Sequence, residues 1–280
     1  MTRTPHRTLE SLLPGVLAVA RAAGDAILGV YAGADLGVET KADRSPLTAA
    51  DRAAHAVIAA GLARLAPEIP LWSEESAGIE WETRRHWPEF WLVDPLDGTR
   101  EFIKRNGEFT VNIALVRGHT SVLGVVHAPV LGRDYYGHAG AGAVRADAKA
   151  DGQPTGRPIR VRTPVAPPIR VAGSRSHRGS SLDDVLARLD ARLDAHTLVS
   201  MGSSLKFCLV AEGAADFYPR LGPTSEWDTA AAQAVVEAAG GAVIDLEGQP
   251  LRYNRGPGIL NPFFIARGDA ATDWLGLVRD

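Results

Sequence analysis

The string Trp91-Leu92-Val93-Asp94-Pro95-Leu96-Asp97-Gly98-Thr99 places two carboxylates three residues apart, just past a run of apolar β-formers. Pro95 fixes a turn, and Gly98 lets the backbone come close to whatever binds there. Asp94 and Asp97, with the backbone carbonyl of Leu96, offer hard oxygen ligands, the donor type suited to Mg²⁺. The backbone N–H groups of Gly98 and Thr99 suit a phosphate. A bare Asp-x-x-Asp is most simply a turn whose side chains cap their own backbone. The longer string ending in Gly98-Thr99 points to chemistry instead.

Other acids stand where they can join this pair. Glu74-Glu75 follows a short apolar stretch. Alone it is a solvated turn; beside the first motif Glu74 becomes a candidate for completing a metal site, and Glu75 reads as a neighbour or surface residue. Asp228, in Glu226-Trp227-Asp228-Thr229-Ala230-Ala231, is a further candidate. An Asp there also caps a helix and complements its dipole. Asp51 has the same double reading, because Thr48-Ala49-Ala50-Asp51 has capping-box spacing with Asp in place of Glu or Gln.

These residues need elements to position them. Apolar residues from Leu9 to about Tyr31 recur at helical spacing, with Pro14 near the first turn. A second helix is predicted from about Thr48 to Leu65, stopped by Pro67. Residues 70–73 read as a short strand and 76–89 as a polar excursion. Strands follow at Phe90–Val93, ending at Asp94, then at Phe109–Val116, Val122–Val126 and Asp134–Gly137. Residues 146–168, rich in Pro, Gly and Arg, form the best boundary. Beyond it the pattern alternates: strands at 169–172, 197–200, 215–218, 242–244 and 263–266, with helices at 182–193, 204–212 and 227–239. The first half is therefore α+β around a largely antiparallel sheet, and the second half is α/β. Tyr135, Tyr136, Trp72, Trp81, Trp87, Trp91 and Trp227 read as packing residues, and Cys208 as a small buried hydrophobe.

Composition narrows the classes. The chain has 280 residues, 45% hydrophobic and 22% charged, which argues against disorder. A net charge of −3 disfavours wholesale binding of a nucleic-acid polymer. A single cysteine excludes an internal disulfide and a multi-cysteine metal cage, and fits a reducing compartment. The start MTRTPHRTLESLLPG reads without a signal peptide, and no run approaches the roughly 20 apolar residues that cross a bilayer. The expectation is a cytoplasmic protein with no integral membrane segment, leaving room for loose peripheral association with a membrane.

Glu74-Glu75-Ser76, Asp94-Pro95-Leu96-Asp97-Gly98-Thr99 and Trp227-Asp228-Thr229-Ala230-Ala231, in this order, resemble the signature of the inositol monophosphatase superfamily. Its members are lithium-sensitive, magnesium-dependent phosphomonoesterases, and the resemblance extends from about residue 9 to residue 266. The strings Gly107–Leu115, Gly202–Cys208, Tyr218-Pro219-Arg220 and Glu226–Thr229 are similar to the 3′(2′),5′-bisphosphate nucleotidase branch of the CysQ type. The fold this implies is a layered α-β-α-β-α sandwich of the inositol monophosphatase/fructose-1,6-bisphosphatase type. Residues 1–150 would be an α+β metal-binding half, and residues 151–280 an α/β half completing the metal site and carrying the substrate pocket.

The resemblance also implies roles. Glu74, Asp94 and the Leu96 carbonyl would bind one Mg²⁺; Asp94, Asp97 and Asp228 a second; a third, weaker ion would touch Glu74. Asp51 and Thr99 match the pair that polarises the attacking water, with Glu74 the remaining catalytic residue. Leu96, Asp97, Gly98, Thr99 and Asp228 would also face the scissile phosphate. His177, Ser203, Lys206 and Arg220 match positions that contact the nucleotide and its other phosphate. One departure is Ala232, where the branch usually has Gly; it removes no ligand. Crowded carboxylates repel in a low-dielectric cleft, and divalent ions reverse that sign. The implied reaction is hydrolysis of adenosine 3′,5′-bisphosphate to AMP and phosphate by metal-activated water, in sulfur metabolism, by a monomer or homodimer. An inositol or sugar monophosphatase on the same metal site is the alternative. A non-catalytic phosphate-binding protein would have lost a ligand, and none is missing.

Overall fold

Leu12, Val16, Ala20, Ala23 and Ile27 fall on one face of a helical repeat, and the first helix, α1 (Leu9–Tyr31), buries that face. Thr8 caps it, its Oγ1 accepting from the Ser11 N–H at 3.2 Å. Pro14 lies deeper than the first turn, so it removes one intrahelical bond. On membrane-crossing length the sequence expectation needs correcting. By length and composition α1 is long and apolar enough to span a bilayer. In the fold its apolar stripe packs into a core instead.

The computed structural model describes residues 7–40, 46–76, 78–148, 154–173, 180–193 and 195–279. After α1 come β1 (Glu39–Thr40), β2 (Pro46–Leu47), α2 (Ala49–Leu65), β3 (Leu71–Ser73) and a 3-10 turn at Glu74–Ser76. Next are α3 (Trp81–Arg84), β4 (Glu89–Asp97), α4 (Thr99–Ile103), β5 (Thr110–Arg117), β6 (Thr120–Ala128), β7 (Arg133–His138), β8 (Gly142–Ala148) and β9 (Pro154–Ile159). The chain continues through β10 (Ile169–Gly173), α5 (Ser180–Leu193), β11 (His196–Ser200), α6 (Leu205–Ala211), β12 (Phe217–Arg220) and α7 (Glu226–Ala238). It finishes with β13 (Ala242–Asp245), β14 (Phe264–Arg267) and α8 (Leu275–Val278).

A seven-stranded sheet runs β3-β4-β5-β6-β7-β8-β9, antiparallel except where β3 pairs with β4. A five-stranded sheet runs β11-β10-β12-β14-β13, with β10 parallel to β11 and β12 and β14 antiparallel to its neighbours. Alternating side chains assign the layers. Trp91, Val93, Ile113 and Leu115 pack with α1 and α2. Phe90, Leu92, Ala114 and Val116 pack with α6 and α7 on the other face. Ala172, Tyr218, Phe264 and Ala266 bring the second sheet against that same helical layer. Ile169, Val171, Phe217 and Ile265 face α5 and α8. The order is α-β-α-β-α, as expected.

Several details differ from the sequence reading. The strand expected to end at Asp94 continues to Asp97, with a register shift against β5 between those two residues. Such an irregularity re-aims side chains at the end of a ladder. The polar stretch before β4 contains α3, and Pro154–Ile159 pairs with β8 as the outer strand of the first sheet. Trp72, Trp91 and Trp227 are buried, as is Cys208.

Helix α7 lies so close to the first sheet that a Cβ on Gly124 would fall 2.0 Å from the Ala231 carbonyl oxygen. Backbone on both sides gives no room to relax. Gly124→Ala is therefore expected to destabilise the fold by about 2–3 kcal/mol through overpacking, read as a lower urea midpoint. An unchanged midpoint would mean that α7 is not seated as described.

Candidate active site

The bulged end of β4 presents Asp94 and Asp97, and Gly98 then turns the chain into α4 with a left-handed φ of 93°. A side chain at Gly98 would also crowd the Glu108 carbonyl at 3.2 Å and Ser203 at 3.3 Å. Only glycine serves both demands. Asp94 is 2% exposed, and its Oδ1 accepts from the Leu96 N–H at 3.0 Å. Asp97 is half-buried. Its Oδ2 accepts from Ser203 Oγ and from the Ser204 N–H, both at 2.6 Å. Thr99 Oγ1 donates to the Leu96 carbonyl at 3.4 Å.

Two capping boxes bring further carboxylates. Asp51 begins α2 and accepts on Oδ2 from the Thr48 N–H at 2.7 Å and the Thr48 hydroxyl at 2.6 Å. Asp228 lies in the first turn of α7 and accepts on Oδ2 from the Ser225 N–H at 2.8 Å. The capping role and the proximity to Asp94 hold together in both residues. Glu74 sits in the turn after β3, half-buried.

Electrostatics places these acids in one field. Burial pushes the Asp94 carboxyl well above the usual range, and Glu74, Asp97, Asp228 and Asp51 push it further, in that order. Burial also raises Asp228, with Asp97 adding to it, while the Ser225 N–H and Arg220 oppose. Among the described residues no three acidic side chains close around a single point. The donor set nevertheless fits a hard divalent cation in kind. It is all oxygen, and Asp94, Asp97 and Asp228 are each anchored through one oxygen. Their shared field is one that a cation reverses.

A cleft of about 590 Å³, its open mouth included, is lined by Asp97, Gly98, Glu101, Lys206, Arg220 and Asp228 among others. Lys206, which by resemblance would contact the second phosphate, is 6% exposed. Its Nζ donates to the Ser203 carbonyl at 2.6 Å and lies 5.5 Å from the Tyr218 ring centroid. Burial lowers its pKa to about 8, with Asp97 pulling the other way. Arg220 Nη2 donates to the Pro223 carbonyl at 2.9 Å, and its buried Nε has no hydrogen-bond partner among the described residues. Ser203 adopts φ 54°, and its hydroxyl also meets Thr110 Oγ1 at 2.6 Å. His177 lies outside the described residues.

Sequence reasoning did not single out Thr110, Asn112 and Ser204, which form a hydroxyl–amide network behind Asp97. Their signal was present: Thr110 and Asn112 are polar residues at alternate positions of an apolar strand. Glu108, whose carboxylate accepts from the Gly202 N–H at 2.8 Å, fixes the same loop.

Residues 8–273 match the inositol monophosphatase family, and the chain belongs to it. It is an enzyme, a phosphoric monoester hydrolase. Within the family it is similar to the 3′(2′),5′-bisphosphate nucleotidase CysQ of Escherichia coli O157:H7, at 51% identity over 90% of this chain and 98% of that protein. The CysQ of Haemophilus influenzae is 38% identical over 96% of this chain and 97% of its own. The crystal structure of CysQ from Bacteroides thetaiotaomicron superposes with a TM-score of 0.80 at 40% identity, covering 91% of this chain and 96% of that one.

The crowded field has a stability signature. A carboxyl whose folded pKa is raised binds its proton more tightly in the native state. That stability is present at low pH and is lost as pH rises from about 4 through the folded pKa. Asp94→Asn removes this loss while keeping an acceptor for Leu96. In chelator at pH 7 the variant is expected to melt above the parent, by about 2–4 °C per kcal/mol recovered, and to gain nothing from added Mg²⁺. A melting temperature at or below the parent's would contradict the electrostatic picture.

Proposed function

We propose that this enzyme hydrolyses adenosine 3′,5′-bisphosphate, or its sulfated analogue, removing the 3′-phosphate with Mg²⁺ as cofactor. The observation that carries this reading is the pairing of opposite charges in one cleft. Asp97 and Asp228 line it together with Lys206 and Arg220. A substrate with one phosphate needs only the acidic, cation-binding end. A substrate with two needs a positive corner beyond it. The names of the CysQ relatives support the same substrate class.

The family is in general metal-dependent. Glu74, Asp94 and the Leu96 carbonyl would hold one ion, Asp94, Asp97 and Asp228 a second, with Glu74 beside a weaker third. When bound, such ions supply Lewis acidity and a water of lowered pKa. The remaining work belongs to the chain. The N–H groups of Gly98 and Thr99, at the start of α4, cradle the scissile phosphate. Asp51 and Thr99 orient the attacking water. The Ser203 hydroxyl holds Asp97, and Lys206 and Arg220 receive the second phosphate, with His177 the remaining expected nucleotide contact. The enzyme thus contributes position and charge rather than a covalent nucleophile.

Phosphate release in Mg²⁺ from adenosine 3′,5′-bisphosphate, inositol 1-phosphate and fructose 1,6-bisphosphate, compared as kcat/KM, tests the substrate. The bisphosphate nucleotide should lead. Preference for inositol 1-phosphate would make the enzyme a sugar-type monophosphatase.

Lys206→Ala should lower kcat/KM for the nucleotide about tenfold or more, the worth of a charged hydrogen bond. Inositol 1-phosphate turnover should fall much less, since that substrate carries no second phosphate for the ammonium to hold. Equal losses would remove the second phosphate from this corner.

Alkaline pH separates binding from stability at the same residue. The ammonium that grips phosphate is lost as pH rises through about 8, so kcat/KM for the nucleotide should fall there. The cost of burying that ammonium is full below about 8 and fades as pH climbs from there toward the ordinary lysine value of 10.5, so the Lys206 contribution to stability improves across that window. Lys206→Ala should show neither trend, and a parent profile flat to pH 10 would refute the assignment.

A further inference from the structure

Arg84 lies in the polar-looking stretch before β4, yet it is 2% exposed. A buried guanidinium is retained only where its donors are met. Nη1 donates to Asn254 Oδ1 at 2.6 Å and Nη2 to the Pro257 carbonyl at 2.7 Å. Asn254 Nδ2 returns a bond to the Arg84 carbonyl at 2.7 Å. The guanidinium carbon lies 4.2 Å from the Trp72 ring centroid and 4.9 Å from that of Trp81. The charge is thus held between aromatic faces and neutral oxygens, and the buried Glu226 carboxylate favours it.

Both directions from this clamp lead to the acidic cluster. Trp72 lies two residues before Glu74 and meets Trp227 edge-on, with centroids 5.9 Å apart. Trp227 immediately precedes Asp228. Asn254, held at a left-handed φ of 54°, donates its N–H to Glu226 Oε2 at 2.7 Å. Glu226 is the first residue of α7, two before Asp228. Arg84 therefore touches the strand that delivers Glu74 and, through Asn254, the helix start that delivers Asp228.

The geometry points to Arg84 as a positioning residue that cross-links β3 to the start of α7, and so sets the affinity of the acidic site for divalent cations without touching them. This inference rests on Glu74 and Asp228 being cation ligands. Arg84→Met keeps length and apolar packing but removes the fork and the charge. Asn254→Gly tolerates the left-handed backbone and keeps the N–H to Glu226, while losing both side-chain bonds to Arg84.

The experiment is calorimetric titration of Mn²⁺ into the intact protein well below its melting temperature, alongside the Mg²⁺ dependence of turnover. Arg84→Met and Asn254→Gly should each weaken Mn²⁺ binding by roughly tenfold or more, the usual scale for groups that orient ligands. The Mg²⁺ midpoint should rise in parallel, with kcat at saturating Mg²⁺ largely kept. Arg84→Lys should recover part of the affinity. Arg145→Met breaks a half-buried ion pair with Glu212; it should lower the melting temperature and leave Mn²⁺ affinity at the parent's value. Should Arg84→Met fail to fold, Asn254→Gly alone decides. If the parent binds Mn²⁺, Asp94→Asn does not, and both clamp variants bind like the parent, the Arg84 inference falls and the ligand assignment stands. If the parent binds no Mn²⁺, both fall.

Discussion

Mutual repulsion among carboxylates sets the terms for the rest of this structure. Asp94 is buried and feels Glu74, Asp97, Asp228 and Asp51 at once. Nothing about folding favours that arrangement by itself, and every one of these charges would be better solvated apart. They stay together because each aspartate is tied to a donor that the fold has to satisfy anyway. Thr48 holds Asp51, the Leu96 N–H holds Asp94, Ser203 and Ser204 hold Asp97, and the Ser225 N–H holds Asp228. The cluster is built from obligatory backbone accounting, which makes it robust to the repulsion it contains.

This explains why helix starts and a strand irregularity are the delivering elements. The N-terminus of a helix has unsatisfied N–H groups and a favourable field for anions. Asp51 and Asp228 occupy equivalent capping positions of α2 and α7, which come from opposite sides of the first sheet. The bulge in β4 lets Asp94 and Asp97 leave the strict alternation that would otherwise send one of them into a core. Holding α7 to the sheet at Gly124, and its first turn to α3 through Asn254, then fixes where Asp228 stands relative to Glu74.

Much of this was legible in the sequence, for identifiable reasons. The apolar period of α1, the cap of α2 and the run into Asp94 are local signals, and local signals survive in one dimension. The five-layer order followed from resemblance, while the pattern alone reached an α+β half followed by an α/β half. What was not legible depends on contacts between distant segments. Arg84 reads as one charge in a polar stretch until Asn254, 170 residues away, meets it. Nothing in the local sequence around Lys206 announces that Tyr218 and the Ser203 carbonyl enclose it. The strand at Pro154–Ile159 is disguised by prolines and glycine, tolerable because it lies at the outer edge of its sheet.

The acidic and basic groups of the cleft are mechanically joined, and under the proposed function that would shape specificity. Ser203 gives its hydroxyl to Asp97 and its carbonyl to Lys206. The loop that steadies Asp97 is thus the loop that steadies the ammonium. Burial disfavours the charged form of Lys206, and Arg220 adds to the cost as a neighbouring cation. A ligand that ends at the acidic side leaves this cost standing, whereas one carrying a second phosphate removes it. If the proposed substrate is right, discrimination comes from what a smaller substrate leaves uncompensated, the mode in which binding sites discriminate most steeply. It also follows that the positive corner cannot be strengthened freely. Each cation added there deepens the penalty in the free enzyme, and shifts the field at Asp97 and Asp228 on which the other end of the cleft depends.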